Sequence, residues 1–316
     1  MACEQNLNWC YTTPSTQIPQ AMKDIVLYCK SYKRDVLRAK RLVDSVERFN
    51  ADQLGFFMSV PNDDRQLFEN VIGRQRCEWI SDEEIVSANP AASLERMYKT
   101  PGTISQQVVK SEFWRLGIAD NYVCLDSDSM FIRDFKRSDF ISPEGIPYTV
   151  LHQSKELLQL ASNRGKQKVV TDFHSESEKA KSLFNRIGPD YDFGPPPMIW
   201  SHKVWKDIAT KYLEPQGLTL WDAIDMYPAE IRWYGEALLQ YESIPLLPIE
   251  PLFRFYHYDW QFYANKKLGE SEEKLKPNYL GVVYQSNWQY EMDYGKPEKG
   301  LASRALRNIK RAIKSI

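Results

Sequence analysis

A strand, a helix and a second strand in direct succession constrain this chain more than any other feature. DIVLYCK reads as a buried strand from Asp24 to Cys29, running into a polar loop from Lys30 to Asp35. VLRAKRLVDSVERF then places apolar residues at Val36, Leu37, Leu42, Val43, Val46 and Phe49, the period of a helix packed on one side. LGFFMSV follows as a second apolar strand, closed by PNDD. Strands joined by such a crossover lie parallel in one sheet. The expectation is an α/β fold: a Rossmann-like, mostly parallel sheet with flanking helices.

The next segments extend the pattern. Residues 64 to 73 read as a short helix and CEWI as a short strand. TPGTISQQVVKSEFWRLG is a turn followed by a helix from about Ser105 to Leu116, and NYVCLDSD is the next strand. The second half is less regular. IPYTVLH suggests a strand and ESEKAKSLFNRI a helix. YDFGPPPMIWSHKVW is a proline turn before a strand and a helix. PAEIRWYGEALLQYE reads as a helix and LFRFYHYDW as a late strand. With 43% hydrophobic residues among 316, the chain can bury one large core. The expected division is an arm at 1–21, one catalytic domain at 22–300 with halves at 22–135 and 136–300, and a tail at 301–316.

In YVCLDSDSM an apolar strand ends in two carboxylates, Asp126 and Asp128, separated by Ser127. Like charges this close repel, and burying them unpaired is costly. Three readings follow. The pair can be a turn or helix cap, since Asp and Ser favour both. Asp126 can be the nucleophile of an aspartyl phosphotransferase, although such enzymes usually carry the pair on the first strand, with a later acidic motif. Or the pair can hold a divalent cation on a diphosphate, through hard oxygen ligands. A strand's C-terminal end is where open α/β sheets place ligands.

The third reading is the arrangement of the GT-A glycosyltransferases, whose Rossmann-like half binds a nucleotide-sugar. The blocks TPGTISQQVVK and YVCLDSDSMFI, with Glu230 and Tyr234-Gly235 in AEIRWYGEALL, resemble a family of bacterial glycosyltransferases associated with surface polysaccharide synthesis. Ala229 stands where that family often has Ser. The resemblance spans roughly Asp24 to Tyr258. It implies a GT-A-like fold with a nucleotide-binding half at 22–135 and an acceptor half at 136–300. It further implies a Mn²⁺ or Mg²⁺ cofactor, a nucleotide-sugar donor (a UDP-sugar favoured), a glycan or lipid-linked acceptor, and an inverting reaction. Asp128 is then a direct metal ligand. Asp126 touches the metal or the ribose, and Ser127 and Ser129 lie within reach of the ion or phosphate. On the donor side stand Lys30, Tyr32 and Arg34 after the first strand, Asp63 or Asp64 after the second, and Gln106, Gln107 and Lys110 on the helix. Glu230 is the expected general base, with Glu236 in reserve. His257 is a candidate third metal ligand. Asp192, the proline turn, Trp200 and Trp205 are candidates for shaping the acceptor pocket.

A net charge of −1 argues against a polyanion-binding surface, so no nucleic-acid partner is expected. The cysteines, Cys3, Cys10, Cys29, Cys77 and Cys124, are odd in number and form no CxxC pair, which suits a reducing compartment. The first residues lack the basic and apolar runs of a signal peptide. A cytoplasmic protein is expected. The tail LASRALRNIKRAIKSI departs from the rest. On a helix, Leu301, Ala302, Ala305, Leu306, Ile309, Ala312, Ile313 and Ile316 share an arc of about 140°. Arg304, Arg307, Lys310, Arg311 and Lys314 lie opposite. That pattern suits an amphipathic helix lying on anionic lipid, at the inner face of the cytoplasmic membrane.

Overall fold

The computed structural model describes residues 22–295. The arm at 1–21 and the tail at 301–316 lie outside the described residues. The chain runs in order through β1 (Lys23–Lys30), α1 (Val36–Phe49), β2 (Phe56–Val60), α2 (Arg65–Ile72) and β3 (Glu78–Ser81). It continues through α3 (Asp82–Ser87), α4 (Leu94–Lys99), α5 (Gly102–Glu112), β4 (Ala119–Asp126) and β5 (Ser129–Phe131). Next come β6 (Thr149–Val150), α6 (Lys155–Asn163), α7 (Gln167–Leu183), β7 (Met198–Ser201) and α8 (His202–Asp207). Last are α9 (Leu220–Met226), α10 (Glu230–Tyr241), β8 (Pro248–Ile249), β9 (Phe253–Phe255), α11 (Asp259–Lys267), α12 (Glu272–Leu275) and β10 (Gly281–Val283). Among the described residues no helix is long and apolar enough to cross a membrane.

The central five-stranded sheet has the order β3-β2-β1-β4-β7. β1 to β4 are mutually parallel, and β7 closes the edge antiparallel to β4. The fold is thus α/β with a mostly parallel sheet, as its first strands and helix predict. From β1 the chain builds leftward to β3, then returns to place β4 on the other side of β1. The strand order reverses between β1 and β4, and their C-terminal ends meet in register at Lys30 and Asp126. Open α/β sheets bind ligands at such a switch point, because the diverging loops leave a crevice there.

Strand alternation distributes the side chains. Val26 and Tyr28 of β1, with Tyr122 and Cys124 of β4, enter one core with α5, α8, α9 and α10. Ile25, Leu27 and Cys29, with Val123 and Leu125, enter the other with α1 and α2. Helix α1 buries Val36, Ala39, Leu42, Val43 and Val46 there. Each fully buried aliphatic side chain contributes about 1.5–3 kcal/mol. Cys29 and Cys124 are free thiols acting as small apolar core residues. A second, three-stranded sheet, β5-β10-β9, begins directly after the aspartate pair.

The irregular half departs from the sequence pattern. IPYTVLH forms a strand only at Thr149–Val150, with isolated bridges at Pro147 and His152, and LFRFYHYDW only at Phe253–Phe255. Both are short pairings between distant segments, which periodicity does not encode. The helix read from ESEKAKSLFNRI starts earlier, at Gln167, and ends at Leu183.

Candidate active site

Tyr122, Cys124 and Asp126 alternate onto the same face of β4, so Asp126 ends up over α5 and α10. There Lys110 Nζ donates to Asp126 Oδ1 at 2.6 Å and lies 3.4 Å from Glu230 Oε1. The lysine sits in the last turn of α5, and its side chain is 6% exposed. Burial alone lowers a lysine's pKa. Here the charge of Asp126, then that of Glu230, outweighs burial and raises the pKa well above the ordinary value. Lys110 is therefore a permanent cation holding two carboxylates. Glu230 opens α10, where acidic residues suit the helix dipole. Its backbone N–H donates to Gln107 Oε1 at 3.2 Å, tying the two helices together.

Asp128 turns the other way, toward α1 and β10. The N–H of Ser286 donates to its Oδ2 at 2.8 Å. Its Oδ1 is buried with no hydrogen-bond partner among the described residues, and so is Ser129 Oγ. Burial first, and then the charge of Asp126, pushes the Asp128 carboxyl from 3.8 up to about 7, against the lowering effect of the Ser286 bond. Arg41 closes this side. Its guanidinium lies 5.3 Å from the centre of the Tyr284 ring, and its Nη2 donates to the Asp128 carbonyl oxygen at 3.3 Å.

The loop after β1 supplies the rest of the crevice. Lys30 Nζ lies 3.3 Å from Asp82 Oδ2, both side chains nearly buried, and 5.6 Å from the centre of the Tyr32 ring. Tyr32 is 41% exposed and free to stack. Burial raises the Asp82 carboxyl above its usual range, Lys30 opposing. Arg34 is held by Asp293, which also binds the fully buried Arg38 at 2.6 Å. Asp63 is exposed in the turn after β2, and Asp64 accepts from the Lys33 N–H at 2.6 Å. Gln107 is buried against α10, whereas Gln106 is half-buried and points back to Thr103. Ser127 is buried in the turn between the two aspartates.

A family model described as a family of unknown function, DUF6492, matches residues 20–263. The chain belongs to that family. No curated protein matches it in sequence. Among solved structures it is similar to mouse xyloside xylosyltransferase 1, apo form, at 10% identity and a TM-score of 0.46, over 83% of this chain and 98% of that one. It is also similar to the apo structure of the bifunctional glycosyltransferase WbbM, at 12% identity and a TM-score of 0.46, over 86% of this chain and 47% of that one. The DUF6492 match covers Lys30, Lys110, Asp126, Asp128 and Glu230, whereas Ser286 and Asp293 lie beyond it.

Two candidates from the DUF6492 sequence are corrected by the structure. Glu236 is fully buried and bound through both oxygens by Arg186, so it is a structural ion pair and no reserve base. His257 does not join the aspartates: among the described residues no three His, Cys, Asp or Glu side chains gather to hold a metal. Its backbone N–H donates to Gln261, and its ring packs on Phe255. Burial lowers its pKa, with Asp192 opposing and His152 assisting. Trp200 and Trp205 are buried in the core and only pack. Tyr234 and Gly235 also have packing roles. The Ser201 N–H donates to the Tyr234 hydroxyl at 2.8 Å, and a Cβ on residue 235 would lie 2.1 Å from the Phe193 ring. Sequence reasoning missed Arg41, Asp82 and Ser286. Arg41, a charge beside the apolar stripe of α1, was the one visible signal.

Proposed function

We propose that this protein is a metal-dependent, inverting glycosyltransferase. The donor is a nucleotide-sugar, a UDP-sugar favoured, and the acceptor is a glycan or lipid-linked glycan of bacterial surface polysaccharide synthesis. The observation that carries the reading is the carboxylate pair at the β1/β4 switch point, with Asp128 Oδ1 buried and lacking a partner among the described residues. Such an atom is costly unless a cation or donor reaches it. Two carboxylates, with no third protein ligand among the described residues, suit Mg²⁺ or Mn²⁺, which takes its remaining ligands from phosphates and water. The residues therefore fit the ion, with Asp128 and Asp126 holding it. When bound, the ion offsets the charge that gathers on a departing nucleoside diphosphate.

The chain's own groups do the rest. Lys110 fixes the orientation of Asp126 and lies beside Glu230, 3.4 Å from its Oε1. Glu230 takes the proton from the acceptor hydroxyl as that oxygen attacks the anomeric carbon. Tyr32 offers a ring face for the base.

The test is a melting-temperature panel of UDP, GDP and CMP with and without Mn²⁺. A nucleotide at about 100 times its Kd stabilises by about 2.7 kcal/mol, roughly 4 °C for a chain of this size. A shift that needs both nucleotide and metal supports the reading. Phosphate bound covalently to Asp126 would instead mark a phosphotransferase. Metal-dependent nucleotide binding without transfer to any acceptor would mark a binding protein. The tail at 301–316 adds peripheral membrane attachment to the proposal. The full chain should sediment with anionic liposomes at low salt, and a chain ending at Gly300 should not.

A further inference from the structure

A cavity of about 620 Å³ lies away from the aspartate pair, between the β6–α6 segment and β9. Its size falls within the roughly 300–1,000 Å³ of pockets that bury a small ligand. One wall is the segment from Tyr191 to Pro197, and that wall is preformed. His152 Nε2 donates to the Gly194 carbonyl at 2.6 Å, and its Nδ1 accepts from the Ser154 N–H at 3.2 Å. Asp192 accepts from Ser154 Oγ at 2.7 Å and from the Gly194 N–H at 3.2 Å. These groups are satisfied and hold the loop in place.

The same loop abuts the helix that carries Glu230. A Cβ on residue 194 would lie 2.6 Å from Ile231 Cδ1, so glycine there lets the loop seat against the residue next to Glu230. The opposite wall belongs to β9, whose sheet begins with Ser129, next to Asp128. One wall thus packs on the helix that opens with Glu230, and the other shares a sheet with the strand that follows Asp128.

The lining selects a ligand class. Phe255, Tyr191 and Tyr279 supply aromatic surface. The cavity's arginine, Arg254, is already held by Glu156 at 2.9 Å and Glu270 at 3.1 Å, and the other cation of the lining, Lys155, is exposed at the rim, as is Glu250. Among the described residues of the lining, no buried cation is left over for a phosphate. Groups able both to donate and to accept do remain. The His257 ring and the Asn278 carboxamide have no hydrogen-bond partner among the described residues. Gln261 uses its Oε1 on the His257 N–H at 2.9 Å, and its amide N–H groups remain. Sugar hydroxyls are themselves donors and acceptors, and the C–H faces of a pyranose pack on aromatic rings.

We infer that this cavity binds a neutral saccharide and is the acceptor subsite. Its acceptor role rests on the glycosyltransferase reading, whereas its saccharide binding does not.

Saturation-transfer NMR with neutral hexoses, N-acetylhexosamines and their disaccharides, and with inorganic phosphate as the anionic probe, tests it. The wild-type protein should saturate pyranose protons of at least one saccharide and none should be displaced by phosphate. His257→Ala, and Glu250→Trp at the exposed rim, should each weaken that saccharide at least tenfold, with the UDP–Mn²⁺ melting shift unchanged. No saccharide signal in the wild type, a signal indifferent to both substitutions, or displacement by phosphate overturns the inference. Saccharide binding here without any metal-dependent nucleotide shift keeps the cavity's ligand class and overturns the glycosyltransferase reading instead.

Discussion

Asp128→Asn is expected to stabilise the metal-free protein while abolishing its response to divalent cation. Asp128 is 8% exposed, and burial together with Asp126 lifts its carboxyl from 3.8 to about 7. A shift of about 3 units at about 1.4 kcal/mol each corresponds to about 4 kcal/mol. The fold binds this proton more tightly than the unfolded chain does. The cost is therefore absent below about pH 4, grows between pH 4 and 7, and is complete above pH 7. Asn keeps the shape and an oxygen for the Ser286 N–H, which now reaches Oδ2 at 2.8 Å, but carries no charge. Local relaxation around a single buried charge reduces the measurable gain to roughly 2 kcal/mol at pH 8, or about 3 °C in melting temperature. Asp35 and Asp82, whose carboxyls burial also raises, are present in both proteins and cancel in the comparison. Urea denaturation of both proteins in EDTA from pH 5 to 8, beside melting curves with Mn²⁺ and UDP, measures both effects. A variant no more stable than wild type at pH 8, with the same pH slope, would refute the electrostatic argument. A variant that still needs Mn²⁺ for its UDP shift would remove Asp128 from the metal site.

Glu230→Gln should lose transfer by at least a hundredfold yet keep the metal-dependent UDP shift, because only the proton acceptor is removed. Lost nucleotide binding would move Glu230 to the donor side, and retained turnover would exclude it as the base. Glu236→Gln should behave in the opposite way. It leaves the Arg186 guanidinium, 10% exposed, without its carboxylate and costs about 3–5 kcal/mol in urea denaturation. Transfer per folded molecule should be unchanged. Gly235→Ala should lower stability by about 1–3 kcal/mol or more, since its Cβ would lie 2.1 Å from the Phe193 ring. A neutral effect in calorimetry would mean that the ring moves freely.

Local pattern was enough for the first half of the fold. The alternation in DIVLYCK and NYVCLD and the helical stripe from Val36 to Val46 define a parallel sheet, and β1, α1, β2 and β4 appear within a few residues of the expected bounds. The same alternation puts Asp126 on one face and the carboxylate pair at a strand end, so the two aspartates were legible without coordinates. Period two and period 3.6 assign a residue to a face, but they name no partner on that face. The Lys110–Glu230 contact joins residues 120 apart, and the Ser286–Asp128 bond joins residues 158 apart. Glu230 and Glu236 look equivalent as acids on one helix. Only packing decides that the first meets Lys110 at the crevice and that the second is sealed against Arg186. His257, similarly, belongs to a cavity assembled from four separate segments. Sequence by itself determined the sheet and where its charges end. Tertiary structure decided which charges meet, because burial and partner, rather than residue type, set what a carboxylate or an imidazole does.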